Sequence, residues 1–246
     1  MTSQQNHSQT FISLLSGGLD SSIASLIEAQ HNQCALALFF DYGQKAVKKE
    51  IQSAKKIARL LKAPLKIIKL PFLAEITKTA LVMNDQVIPQ IKMSKLDERS
   101  ETEKSAMQVW VPNRNGLFLN IAASFAEGMG VPSIVVGFNA EEAMTFPDNS
   151  SNFLARAQAF FQFSTLQGIQ VSSPTLGMNK KDIVEKGIEL NFPFQDLWSC
   201  YQGGRKMCGQ CESCLRLIRA YYSNNIHEKF RHCFHHWPIE SRKQAS

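Results

Sequence analysis

Leu15-Ser16-Gly17-Gly18-Leu19-Asp20-Ser21-Ser22 joins two apolar runs of different period. Phe11, Ile12, Leu14 and Leu15 before and at its start suffice for one buried strand, and Ile23, Ala24, Leu26 and Ile27 after it recur at helical spacing. A strand, a tight turn and a helix are expected. Two consecutive glycines admit positive φ and put no Cβ between backbone and ligand, so the N–H groups of the turn can converge on one anion. Ser16, Ser21 and Ser22 add hydroxyls, and the helix adds its first-turn amides and the positive end of its dipole. The Gly-Lys-Ser/Thr ending of a Walker A loop is missing, so no lysine is built in to grip a γ-phosphate.

The pattern continues downstream. Cys34 to Phe40 reads as a second buried strand ending in Asp41-Tyr42-Gly43-Gln44. Strand, helix, strand implies a parallel sheet, and polar residues at a carboxyl strand end stand where open α/β sheets bind ligands. Lys45 to Lys62 is an amphipathic helix with Val47, Ile51, Ala54, Ala58 and Leu61 on one face; its lysines and Arg59 form a basic stripe, either a phosphate or RNA contact or a solvated face. Leu65 to Leu70 is a third strand, Leu117 to Ala126 a buried helix and Ser133 to Phe138 another strand. Residues 151–166 read as a helix, Gly168 to Val171 as a short strand, and Asn179 as the cap of a helix running to Leu190. Periodicity weakens before residue 109, and a mobile insertion is expected over about 78–108 as a lid or interface arm. The expected fold is α/β, an open and mostly parallel sheet flanked by helices. Residues 1–9 form a disordered arm, 10–190 the α/β domain, 191–238 a C-terminal cysteine-bearing segment and 239–246 a polar tail.

A hydrophobic content of 44% over 246 residues fills a core, and a net charge of +6 admits an anionic partner without demanding one. No secretory leader and no apolar run of about 20 residues is visible, so a soluble cytoplasmic protein with no membrane partner is expected. Cys200, Cys208, Cys211 and Cys214 crowd into one short segment, which in a cytosolic chain indicates metal. Four thiolates fit a closed structural Zn²⁺ site, and they also suit an iron–sulfur cluster. Gly203, Gly204 and Gly209 allow the turns, and Arg205 and Lys206 would offset thiolate charge. Cys34 and Cys233 read as plain buried residues. His232, His235 and His236 read as surface groups or a second metal site.

Ser16-Gly17-Gly18-Leu19-Asp20-Ser21 resembles the signature of the PP-loop ATP pyrophosphatases, which hold the pyrophosphate of ATP while a nucleophile attacks the α-phosphate. Asp20 could help hold Mg²⁺. Together with Phe40-Asp41-Tyr42-Gly43-Gln44, Pro112-Asn113-Arg114-Asn115 and Trp198-Ser199-Cys200-Tyr201 leading to Cys208, Cys211 and Cys214, the chain resembles the 7-cyano-7-deazaguanine synthases of queuosine biosynthesis. That resemblance implies a PP-loop (HUP-like) domain, ATP with Mg²⁺, a structural zinc, 7-carboxy-7-deazaguanine and ammonia as substrates, and a homodimer; nucleic acid is not expected as a partner. It places pyrophosphate on Leu15 to Ser22, the nucleotide beside Asp41 and Gln44, catalytic roles on Asp20, Arg114 and Lys180, and zinc on the four cysteines. Asn139, Glu142 and Asp148 are the substrate-binding candidates, with Glu141 and Glu142 either reading an amidine-like purine edge or capping a loop. No stretch is left over for a glutaminase, so free ammonia or a partner is expected.

Two strings depart from the resemblance. Where a Ser-Gly-Tyr-Pro-Asp-Cys-Arg string is expected the chain has Met144-Thr145-Phe146-Pro147-Asp148-Asn149-Ser150, and Pro-Gly-Arg-Asn becomes Pro112-Asn113-Arg114-Asn115. These departures admit a PP-loop paralogue that adenylates another small molecule, a protein or a tRNA base. The basic stripe admits a non-catalytic zinc module that binds nucleic acid.

Overall fold

The computed structural model describes residues 9–238; apart from Gln9, the arm expected over 1–9 and the tail expected over 239–246 lie outside the described residues. β1 (Thr10–Leu14), α1 (Leu19–Glu28), β2 (Gln33–Asp41), α2 (Val47–Leu60) and β3 (Leu65–Lys69) follow one another as two strand–helix–strand crossovers between parallel strands. α3 (Pro71–Ile76), α4 (Arg99–Val109) and α5 (Arg114–Met129) lead back to β4 (Ser133–Val135). Then come α6 (Ala140–Ala143), α7 (Ser151–Ser164), β5 (Gln170–Ser172), α8 (Lys180–Glu189), α9 (Glu212–Ser223) and α10 (His227–Phe230).

The five strands pair in parallel in the order β3-β2-β1-β4-β5. Chain direction across the sheet reverses between β1 and β4, so their carboxyl ends diverge into a crevice, which is where such sheets take ligands. The central strands are buried on both faces and therefore read as nearly unbroken apolar runs, as in Phe11-Ile12 and Ala37-Leu38-Phe39. α1 and α2 cross one face, with α8 packed against α1. α5 and α7 pack together over β1, β4 and β5 on the other face. The α1–α8 approach is close because Gly187 stands at the contact: a Cβ there would lie 2.7 Å from Phe194 Cζ and 3.0 Å from Ile23 Cδ1. Asn179 caps α8 in a reciprocal capping box with Asp182, as its position before the apolar run predicts.

Three local differences from the sequence reading have physical causes. β4 ends at Val135 rather than Phe138, although Val136 N still donates to Ser172 O at 2.9 Å. The backbone then peels away at Gly137 to pass over the first turn of α1. The last strand begins at Gln170 because Gly168 turns the chain at φ +60°. α4 falls inside the segment that showed little periodicity: it buries only Thr102, Ser105, Ala106 and Val109, its other residues are mostly charged or polar and its Met107 is exposed, so no apolar stripe announces it. Leu81, Ile88 and Leu96 of the same segment join the buried set, and Gln90 bridges to Cys211.

Gly17 sets the turn after β1. It has φ +81°, and a Cβ there would stand 2.6 Å from Glu50 O and 2.9 Å from Ala54 N. Gly17→Ala is therefore expected to lower unfolding free energy in urea by at least about 1–2 kcal/mol, the cost of a left-handed alanine alone; an unchanged midpoint would contradict the tight docking of this turn on α2.

Candidate active site

A cavity of about 250 Å³ opens at the carboxyl ends of β1, β2 and β4. Of the residues singled out from sequence, Leu15, Ser16, Gly18, Leu19, Asp20, Ser21, Gln44, Arg114 and Glu142 line it. Gly17 and Ser22 shape the same turn from behind. The turn is held open by its own hydroxyls: Ser16 Oγ and Ser21 Oγ are 2.9 Å apart, and Gly18 N donates to Ser16 Oγ at 3.2 Å. Ser22 is committed elsewhere, since its fully buried hydroxyl donates to Gly18 O at 2.6 Å. From outside, Trp198 N and Ser53 Oγ both donate to Gly17 O, at 2.9 and 2.6 Å.

Lys180 is the first residue of α8, and its ammonium bridges two acids. Nζ donates to Asp20 Oδ2 at 2.5 Å and to Glu142 Oε1 at 2.7 Å. Burial works against the Lys180 charge, yet the two carboxylates outweigh it and raise its pKa above that of an ordinary lysine. Burial also opposes ionisation of Glu142, but Lys180 prevails and lowers its pKa. For Asp20 burial wins over Lys180, and its pKa is raised; its second oxygen, Oδ1, is buried and has no hydrogen-bond partner among the described residues.

Asn139 lies beneath this group as the N-cap of α6: its Oδ1 accepts from Glu142 N at 2.9 Å, which fixes the turn that carries Glu142. Glu141, the neighbour, faces away. It accepts from Arg216, from Arg219 at 2.6 Å and from Lys180 N at 3.1 Å, so it ties α9 to the start of α8. Arg114 begins α5 after Asn113, which takes φ +51°, a conformation that asparagine tolerates better than most residues. Arg114 Nη1 donates to Tyr42 Oη at 3.2 Å. Asp148 sits behind Asn149, whose Nδ2 donates to its Oδ1 at 3.2 Å; burial raises its pKa despite nearby Arg114. Asp41 turns back to accept from Gly43 N at 3.1 Å and does not line the cavity.

The sulfurs of Cys200, Cys208, Cys211 and Cys214 lie within 4.8 Å of one another, a group able to hold one metal ion. It is the one group of that kind among the described residues, and His232 and Cys233 join no second one. The sulfurs accept backbone N–H groups: Gln202 and Cys208 donate to Cys200, and Gln210 and Cys211 to Cys208, at 3.3–3.4 Å. Arg205 and Lys206 are exposed and contribute none of these bonds. Among the described residues no helix is long and apolar enough to cross a membrane.

The family model described as "Queuosine biosynthesis protein QueC" matches residues 10–225, which takes in the sheet, the cavity and the cysteine cluster. The chain belongs to the QueC family. Curated relatives named 7-cyano-7-deazaguanine synthase include one from Pelotomaculum thermopropionicum, 49% identical over 85% of this chain and 95% of its own. One from Desulforamulus reducens is 50% identical over 85% and 92%. An archaeal one from Methanosarcina mazei is 46% identical over 87% and 94%.

Several lining groups of this QueC-family chain had no role assigned from sequence. Gly137 lets the chain just past β4 cross α1, where a Cβ would come within 2.6 Å of Asp20 C; only the fold reveals that approach. Phe40 and Phe118 stack at 4.0 Å and 7°, and Phe146 lies nearly parallel to Trp110 at 6.2 Å, giving the cavity aromatic walls. Glu50 lines it too, from a helix whose charges read as solvent-facing.

Lys180→Met would leave Asp20 and Glu142 facing each other without a counter-ion. The side chains of Lys180 and Asp20 are only 7% and 18% exposed. The variant is expected to lose about 3 kcal/mol of stability by chemical denaturation, as buried pairs do when one partner is removed; a loss well under 1 kcal/mol would show the bridge to be incidental.

Proposed function

We propose that this chain is a 7-cyano-7-deazaguanine synthase, converting 7-carboxy-7-deazaguanine and ammonia to the 7-cyano compound at the expense of ATP. The observation that carries this is identity of about half over nearly the full length of relatives bearing that name. Consistent with it, a turn rich in backbone amides and hydroxyls, a cavity with aromatic walls and an arginine meet at the carboxyl ends of the central strands.

The chemistry requires ATP because neither a carboxylate oxygen nor an amide oxygen leaves unaided. The substrate carboxylate attacks the α-phosphate, releasing pyrophosphate and giving an acyl adenylate. Ammonia then displaces AMP to form the amide. A second adenylation, on the amide oxygen, lets AMP depart with loss of protons to leave the nitrile. The Ser16–Ser22 turn and the start of α1 would receive departing pyrophosphate, stabilising charge as it develops. Arg114 would meet phosphate or carboxylate, and holding the α-phosphate beside the carboxylate supplies proximity. The buried, unpaired Asp20 Oδ1 fits a Mg²⁺ ligand, and Mg²⁺ would neutralise phosphate charge.

The four-cysteine group fits zinc. A tetrahedral Zn²⁺ with bonds of about 2.3 Å spaces its sulfurs by about 3.8 Å, and Cys208 Sγ and Cys214 Sγ are 3.8 Å apart. An iron–sulfur cluster divides its cysteines between two or more irons, which would set sulfurs on different irons further apart than the 4.8 Å that encloses all four here. Zinc there would be structural, since four sulfurs close its coordination. The nucleic-acid module has no observation of its own: in the basic stripe Lys45 reaches Gln86 O, Lys56 pairs with Asp196 at 2.7 Å and Lys49 lies over Trp198. A homodimer, a cytoplasmic setting and free ammonia complete the reading.

Mass spectrometry of a reaction with 7-carboxy-7-deazaguanine, ATP, Mg²⁺ and ammonium tests it: the nitrile, AMP and pyrophosphate are expected, and ATP turnover that ignores the deazapurine would overturn it. Asp20→Ala is expected to abolish that turnover while zinc content stays unchanged; retained turnover removes Asp20 from the chemistry. Cys211→Ala should instead lose zinc and soluble protein together, because structural metal binding is folding energy. A folded, metal-free and active variant would contradict the structural role.

A further inference from the structure

Three acids line the cavity, and two of them are already spoken for: Asp20 and Glu142 share Lys180. Glu50 carries no cation. It stands in the first turn of α2, where its backbone carbonyl is packed against Gly17 of the phosphate turn. Its Oε2 accepts from Gln44 Nε2 at 2.8 Å. Gln44 cannot turn away, because its Oε1 accepts from Tyr42 N at 2.9 Å and its Nε2 also donates to Phe40 O at 3.1 Å. Glu50 Oε1 makes no hydrogen bond with a described residue, and Glu50 is among the residues that line the cavity. The cavity therefore holds one oriented carboxylate with a free oxygen beside the place where the adenylate would form.

Resting on the synthase reading, we propose that Glu50 is the base for the incoming ammonia. Neutral ammonia adds to the acyl carbon of the adenylate, forming the C–N bond and placing positive charge on nitrogen. One N–H proton passes to Glu50 Oε1, and the C–O bond to AMP breaks, its electron pair leaving on the phosphate oxygen. The products are the amide, AMP and the Glu50 carboxylic acid, which returns its proton to water. The groups that face Glu50 suit this. Burial is the dominant influence, the Gln44 hydrogen bond and Arg114 pull the other way, Asp41 adds to the burial effect, and the carboxyl is pushed up to about 7. A base near the working pH can both take and release its proton.

The test separates the two half-reactions. Glu50→Gln keeps the shape and can still accept from Gln44. With 7-carboxy-7-deazaguanine and no ammonium, ATP–pyrophosphate exchange by the variant is expected to stay close to that of the unaltered enzyme. Its turnover with ammonium, referred to free ammonia, is expected to fall by ~10²-fold. Full ammonia turnover in the variant, or an equal loss in both assays, overturns the proposal. Where the variant does not fold, the unaltered enzyme decides: an acid limb near pH 7 in amide formation but not in exchange supports Glu50, and a limb shared by both, or none, overturns it. An unaltered enzyme that shows neither exchange nor nitrile overturns the synthase reading, and this inference with it; normal exchange with an unaffected variant overturns the inference alone.

Discussion

The Lys180 ammonium between Asp20 and Glu142 is the interaction on which the arrangement depends. It joins the first turns of α1 and α8 to α6 at one point, beside the apolar packing of α8 on α1 and the bond from Lys180 N to Glu141. Lysine's charge is compact enough to serve two carboxylates, and the positive end of α8 adds to it from behind. Burying such a group is costly, and the cost is offset only while both partners stay in place. Glu141, one residue before Glu142, extends the network outward. Through Arg216 and Arg219 it reaches α9, whose N-cap is Cys211, and Arg219 in turn meets Asp97 at 2.7 Å. The cysteine segment and the cavity are thus parts of one electrostatic frame.

Backbone approach does the rest. The Ser16–Ser22 turn is packed from one side by α2 at Gly17 and from another by the chain just past β4 at Gly137. Neither position leaves room for a Cβ, so packing sets the path of the turn, while Ser16 Oγ and Ser21 Oγ accept from Gly18 N and Ser16 N within it. Because β1 and β4 are neighbours at the point where the sheet reverses direction, both approaches fall at the same crevice.

Much of this was legible in the chain. Strand–turn–helix around Ser16 to Ser22, the parallel sheet and the Asn179 cap follow from local periodicity and hydrogen-bonding chemistry, which act over a few residues. The cysteine spacing was legible for the same reason. α4 was not, because a helix that buries threonine, serine and alanine leaves no apolar period. Lys180 was singled out only through resemblance, since nothing local says that it meets Asp20 across the fold. Ser22 looked like a ligand donor until the helix geometry turned its hydroxyl onto Gly18. Glu50 was hidden among lysines: on a helix with Lys48, Lys49, Lys55 and Lys56, one acid reads as surface charge balance, and only the packing of α2 on the turn brings it inside.

The substituted string at 144–150 is explained by backbone needs. Ser150 Oγ accepts from Phe153 N at 3.1 Å and caps α7, a role that an arginine at this position could not fill. Asn149 holds Asp148, and Phe146 faces Trp110. No cation enters from this string, so among the described residues the cavity lining has Arg114 alone, with Lys180 just behind. Lys180 and Arg114 together balance two of the three acids. Asp20 and Glu142 take Lys180 by direct contact, while Arg114 is turned to Tyr42. Glu50 is then the acid left over, desolvated and paired only with a neutral amide. Burial therefore pushes its carboxyl up to about 7 against the opposing pull of the Gln44 hydrogen bond and Arg114.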